Sequence, residues 1–450
     1  MWQNFDMRPD YRLLTVLLTV PLFASFIATA AQRPGQPSWP HWRGPAHSGV
    51  ATADVPLTWS DTANVQWKTP IPGRGHSTPV VWGDRIFLTT AIPTGPAAPP
   101  PAEGGGRGPG GGTAAGQEHR FEVLALDRKT GKILWQRTST TAVPHEGYHR
   151  IYGSFASNAP ATDGQRVYAF FGSRGLYVYD LAGKPLWQKD FGLKMAMRNA
   201  FGEGSGTVVH NGRVYLQFDH SQEGFVVALD AATGKEIWRT PRMENSSWST
   251  PLVVEHAGAK QLVLTADTKV KAYDIETGKV VWEVAGLGTN PIPQPVQHGD
   301  VVLLMTGYRS PKLMAVRLGR TGDLTGTDAI VWETTRGTSY TATPALHEGR
   351  LYVIADNGQM TVFNATTGEP HYLQTRLPKP YNFKASPLVV GDRVYLATEE
   401  GDVVVVKTGA QFEILATNTL TDQSFIASPI AVGNDLYLRS RTHLFRISAK

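Results

Sequence analysis

The chain contains no cysteine. That excludes disulfides, thiolate metal sites, covalently attached haem and a lipid anchor on Cys. Charge is sparse as well. Only 18% of residues are charged, and a formal net charge of +5 is slight for 450 residues. Lys and Arg form no stripe, so no nucleic-acid footprint is indicated. G-x-S-x-G does not occur. One sizeable apolar run exists, Leu13 to Ile27, and it is short and holds Pro21. Arg8 and Arg12 precede it, and Ala28-Thr29-Ala30-Ala31 follows. A basic start, a short apolar core and small residues at the end predict a cleaved secretory leader over residues 1–31. A periplasmic or secreted protein is therefore expected, with no stable membrane span after cleavage.

Glycine and proline, in contrast, are plentiful, 46 and 31 residues. That suits many short strands joined by tight turns. One stretch organises the rest: Ala228-Leu229-Asp230 through Thr233-Gly234-Lys235 to Trp238. It recurs from Ala125 to Trp135 and from Ala272 to Trp282. The pattern A-x-D-x-x-T-G-K-x-x-W reads as strand, tight turn, strand, with Gly supplying a positive φ and Asp and Thr capping exposed amides. Upstream of each copy lies a hairpin, as in Ser386-Pro387 through Gly391-Asp392 to Leu396. One unit is thus four strands in about 40–50 residues, the period of a propeller blade. Units start at Pro79, Pro160, Thr207, Pro251, Pro295, Pro344, Pro387 and Pro429. The expected fold is all-β, an eight-bladed β-propeller of four-stranded antiparallel blades over residues 64–450.

The eighth unit shows three strands before the chain ends. Asn64-Val65-Gln66-Trp67-Lys68 looks like an outer strand without a blade of its own. Pairing the two would close the ring and leave no open edge. Residues 32–63, with two prolines beside aromatics, read as an extended arm lying over the ring and not as regular strand. Residues 93–119 are a Gly/Pro-rich insertion, expected to be disordered. Trp67, Trp135, Trp187, Trp238, Trp282 and Trp332 share one repeat position, so they read as structural packing between blades. Tyr372 holds that slot in the sixth unit, and the seventh has no clear aromatic there.

These units resemble the repeat of pyrroloquinoline-quinone-type β-propellers. The opening Trp39-Pro-His-Trp-Arg-Gly-Pro and Asn64-Val-Gln-Trp-Lys-Thr-Pro look like the bacterial secreted branch of that superfamily. The superfamily includes quinoprotein alcohol dehydrogenases and the propeller lipoprotein of the outer-membrane β-barrel assembly machinery. The repeat implies fold strongly and function weakly. A dehydrogenase would imply pyrroloquinoline quinone with Ca²⁺, acidic and amide ligands and a catalytic Asp. No Asp stands just before a unit start, and Glu203 and Asn158 are the metal-ligand candidates there. The expectation is a non-catalytic binding scaffold with no cofactor, the quinone enzyme being the alternative.

Residues just before each unit start enter the innermost strand and should converge on the channel mouth. They are His76, Asn158, Glu203 and Trp248, then Gln294, Tyr340 and Thr341, then Phe383, Lys384 and Phe425. Aromatics, amides and one charge of each sign suit capture of a protein, peptide or small ligand. The same residues could instead plug the channel. A monomer with an envelope protein or peptide as partner is expected. Gly202-Glu203-Gly204-Ser205-Gly206 looks like a phosphate loop but opens a strand with no helix after it. His145 and His149 are four apart, but Pro144 and Gly147 oppose the helix that would join them on one metal.

Overall fold

The computed structural model describes residues 1–3, 37–95 and 116–449. The predicted leader, save residues 1–3, and the centre of the insertion lie outside the described residues. Eight sheets follow one another along the chain, each built on four antiparallel strands, in seven of them in sequence order. Blade three is typical: Val208–His210, Arg213–Gln217, Gly224–Asp230 and Glu236–Arg242 pair in turn. The fold is the eight-bladed propeller that the repeat predicts.

Closure also follows the sequence. Val65–Pro70 pairs antiparallel with His443–Ile447 and completes the eighth blade from the opposite end of the chain. In the first blade the hairpin ladder reaches Pro93 opposite His119, and the Thr94 amide donates to the Glu118 carbonyl beyond it. The ends of the 93–119 segment are therefore paired strand, not loop.

The tryptophan column shows why the turn keeps its glycine. Trp187 donates from Nε1 to the Ala231 carbonyl of the next blade at 3.2 Å, and Trp238 to Ile275 at 3.1 Å. Trp67 and Trp135 do the same with Arg128 and Leu181. Each ring lies on the turn glycine of that next blade. A Cβ on Gly234 would stand 2.5 Å from Trp187, and Gly234 has φ +72°. Trp282 departs from the pattern. It is fully buried, bonds Gln261 of its own blade, and is covered by Gly322–Asp323, added in parallel from the fifth unit. Trp332 lies on Gly368 but its Nε1 has no partner. In the seventh blade the slot holds Ala416, and Trp59 of the arm packs into the same core cluster, stacked on Tyr395.

The arm does more than lie over the ring. Ser38–Trp39 pairs antiparallel with the inner strand of blade one, and Val50–Ala51 pairs parallel with that of blade seven. These two-residue strands replace the strand-free arm that the prolines predict. Between them the chain crosses the channel end. Pro40 accepts from Thr162, Ser48 from Leu346 and Gly49 from Val389. Arg43 is buried, donating to the Pro387 carbonyl at 2.8 Å and the Pro344 carbonyl at 3.0 Å. The arm thus closes the channel on the face that carries the Gly-Asp hairpin turns; among the described residues the opposite face is open.

Candidate functional site

A cavity of about 520 Å³ occupies the open end of the channel. Its wall is set by the repeat. Side chains three residues before each unit start form an upper row, and all eight border the cavity: His76, Ser157, Gly204 and Trp248, then Ile292, Thr341, Lys384 and Ile426. Side chains one residue before the start form a lower row about 7 Å deeper, two strand residues on. Thr78, Ala159, Gly206, Thr250, Ser386 and Ser428 of that row border the cavity. Trp42 of the arm reaches the wall too.

The lower row is also a hydrogen-bonded belt. The Gln294 amide donates to Thr343 Oγ1, Thr343 to Ser386 Oγ, Ser386 to Ser428 Oγ, and Ser428 to Thr78 Oγ1, at 2.8 to 3.1 Å. The Gly206 amide donates to Thr250 Oγ1 at 2.8 Å. The last link of the first series joins blade eight to blade one. Its signal, Ser or Thr directly before the unit-start Pro, is plain in the sequence. It escapes notice because Ser-Pro and Thr-Pro also read as ordinary turn starts.

Seven of the ten predicted mouth residues border the cavity: His76, Asn158, Glu203, Trp248, Tyr340, Thr341 and Lys384. Three do not. Phe383 and Phe425 stand four residues before their unit starts and are fully buried in the core. Strand alternation turns that position between blades. Tyr340 and Glu203 share it and still reach the cavity edge. Gln294 is in the lower row, but its amide turns away to donate to the Pro251 carbonyl at 3.0 Å.

Several wall residues come from loops that the repeat does not mark. Asp356, on the turn between the second and third strands of blade six, borders the cavity, although no Asp stands just before a unit start. It accepts from Thr341 Oγ1 and from Lys384 Nζ, both at 3.0 Å. Glu399, on the matching turn of blade seven, lies 3.3 Å from Lys384 and 3.9 Å from Arg441. Burial pulls the Lys384 ammonium down, but Asp356 and Glu399 outweigh it and hold it above the ordinary lysine range. Burial pushes the Glu399 carboxyl up, against the pull of Lys384. Lys384 also stands 4.3 Å over the Tyr152 ring. It is the centre of an ion-pair cluster and not the free rim charge that the sequence suggests.

The rest of the mouth is aromatic. Tyr308 and Tyr340 stack at 5.0 Å, and His149 stacks on Tyr152 at 4.5 Å. Phe201 lies 6.5 Å from Trp248, whose Nε1 donates to the Gly202 carbonyl at 2.7 Å. Burial lowers His149, and burial with Arg74, Arg439 and Arg441 nearby pushes His76 down to about 3. Both are neutral at physiological pH. His145 turns its Nε2 to the Met195 carbonyl at 2.8 Å, so the His145/His149 pair does not converge.

Of the metal-ligand candidates, Glu203 is already engaged. Glu203 accepts from the Ser173 amide at 2.6 Å, from Ser173 Oγ at 2.7 Å and from Arg174 at 3.0 Å. Asn158 donates to the Ser205 carbonyl at 2.8 Å. Among the described residues no three His, Cys, Asp or Glu gather to hold a metal ion. Arg174 neutralises the Glu203 carboxylate, and Lys384 neutralises Asp356, which also borders the cavity.

A family model described as outer membrane protein assembly factor BamB matches residues 50–193, 176–406 and 318–442. The chain belongs to this family. Among solved structures, BamB from Moraxella catarrhalis is 14% identical, with a TM-score of 0.51 over 73% of this chain and 94% of that one. Quinohemoprotein alcohol dehydrogenase from Comamonas testosteroni is 12% identical, with a TM-score of 0.62 over 92% and 81%. At these identities the likeness shows the fold alone. Among curated proteins, a polyvinylalcohol dehydrogenase of a Pseudomonas species is 24% identical over 52% of this chain and 37% of its own. Tetrathionate hydrolase of Acidithiobacillus ferrooxidans is 24% identical over 61% and 53%. The chain thus spans about half or less of the curated relatives it matches. Among the described residues no helix is long and apolar enough to cross a membrane.

Proposed function

We propose that this propeller is an exported, non-catalytic scaffold that holds a protein or peptide partner at the open mouth of its channel. The observation that carries the reading is the mouth itself: a concave aromatic wall whose charged groups are already paired with one another. Trp248, Tyr308 and Tyr340 present large, half-buried rings around a rigid rim, as binding hot spots do. Paired carboxylates hold no open metal position and offer no free general base. Family membership and the predicted leader support an envelope location. The test is capture from an envelope extract of the native host. Trp248→Ala and Tyr308→Ala should each weaken capture at least tenfold, with melting temperatures close to wild type. Lys384→Ala is the poorer probe, because it strands Asp356 and Glu399. Reconstitution with pyrroloquinoline quinone and Ca²⁺, followed by a dye-linked alcohol oxidation assay, should give no Ca²⁺-dependent turnover. Robust turnover would overturn the scaffold reading in favour of the dehydrogenase alternative.

A further inference from the structure

The lower row of the cavity has donors to spare and charge to balance. Thr78, Thr250, Ser386 and Ser428 each accept a backbone N–H through their hydroxyl oxygen. Among the described residues, none of these four hydroxyls donates a hydrogen bond in return. A hydroxyl carries one donor as well as its acceptor lone pairs, so four O–H groups at one level of the channel remain to be used. All four residues border the cavity, and each is 6% exposed or less.

Two buried guanidiniums flank the same level. Arg43, 1% exposed, donates only to the carbonyls of Pro344 and Pro387, the residues that follow Thr343 and Ser386 in the belt. Arg439, 2% exposed, donates to the Ser77 and Thr89 carbonyls, both at 2.8 Å, beside Thr78. Neither touches a carboxylate among the described residues, and the Nε of each has no partner. Burial alone pushes both down to about 9, so both stay charged at neutral pH. The upper wall offers them nothing, since Lys384 is paired with Asp356 and Arg174 with Glu203. An unpaired buried charge is costly, and an O–H donor makes a stronger hydrogen bond to a negative oxygen than to a neutral one.

We propose that the lower row of the cavity is an oxyanion-binding site. The hydroxyls of Thr78, Thr250, Ser386 and Ser428 donate to a carboxylate, sulfate or phosphate group, and Arg43 and Arg439 supply the balancing positive charge through space. The occupant is the acidic end of a ligand that enters from the aromatic mouth, or a free inorganic oxyanion. The site deepens the scaffold reading by assigning the floor of the same cavity, but its chemistry does not depend on which partner covers the mouth.

Calorimetric titration of the full chain with sodium sulfate, sodium phosphate and sodium benzoate, at ionic strength held constant with sodium chloride, tests it. Saturable one-to-one binding of at least one probe is expected. Tighter sulfate or phosphate than benzoate identifies a tetrahedral oxyanion, and the reverse identifies a carboxylate with an aromatic body. Thr78→Val should weaken the bound probe at least tenfold, while Thr78→Ser should stay within about threefold of wild type. Should Thr78→Val fail to fold, the wild-type titration decides alone. Heats that never saturate for any of the three anions overturn the proposal, as does Thr78→Val binding as tightly as wild type. If wild-type protein captures its envelope partner yet binds none of the anions, the floor site is wrong and the mouth reading stands.

Discussion

At the scale of single residues, two kinds of tryptophan separate. Trp238 recurs by position, donates to the next blade and has Gly278 packed on its ring. Trp248 stands at a position whose residue type changes from blade to blade, and it is half-buried at the mouth. Trp238→Ala should therefore cost on the order of 3–5 kcal/mol in stability, while Trp248→Ala should move the melting point little. Thermal and denaturant unfolding of the two variants side by side checks this. Equal losses would make the mouth ring a structural plug. A second residue-scale prediction concerns the arm. His41 is buried, its Nε2 meets the Val209 carbonyl at 3.1 Å, and its ring lies 4.5 Å from His47. Burial pushes His41 down to about 4, with His210 adding to the effect. The folded state then binds fewer protons than the unfolded chain between pH 6.5 and 4. Stability is intact above pH 6.5 and declines as pH falls through that window. His41 alone contributes about 2 kcal/mol of loss at pH 5. Denaturant melts across pH should show His41→Gln with a shallower acid decline than wild type.

At the scale of elements, the hydroxyl belt holds neighbouring inner strands together where most of those strands are only three residues long. Thr343 is fully buried, and its Oγ1 receives the Gln294 amide at 2.8 Å. Thr343→Val keeps the shape and leaves that amide unsatisfied, which should cost about 1–3 kcal/mol. Thr343→Ser should recover most of it. Comparing the two by equilibrium unfolding separates the hydrogen bond from packing. The blade elements themselves were legible in the sequence, because Asp-Thr-Gly turns and apolar alternation are local signals. In the turns, Asp127, Asp230 and Asp274 accept the Thr130, Thr233 and Thr277 amides as expected, and each Thr Oγ1 donates to the same carboxylate at 2.6 to 2.7 Å. The arm's short strands were not legible. Their pairing partners lie in blades one and seven, and no periodicity in residues 32–63 announces them.

At the scale of the whole molecule, the ring is closed twice. Val65–Pro70 completes blade eight at the rim, and the Ser428 amide to Thr78 Oγ1 bond joins blade eight to blade one at the channel. Deleting residues 32–68 removes the rim strand and the channel plug together. The variant should lose cooperative unfolding and aggregate through its open edge. Size-exclusion chromatography with light scattering checks this. A monomer of unchanged stability would refute closure.

Repetition let the sequence alone determine the propeller, its eight blades, the closing strand and the tryptophan column. A unit repeated eight times states its local structure eight times over, and one missing outer strand has one evident source. Seven mouth residues were found the same way, by counting back from each unit start. What only the tertiary structure decided was where those side chains point and what they meet. Phe383 and Phe425 turn into the core because strand alternation faces the fourth residue before a unit start away from the rows at three and one. Lys384 is neutralised because turns of blades six and seven bring Asp356 and Glu399 to it. Arg43 is buried beneath the cavity because the arm crosses the channel end. These contacts join residues up to 344 positions apart, and no local pattern encodes a meeting that depends on the ring having closed.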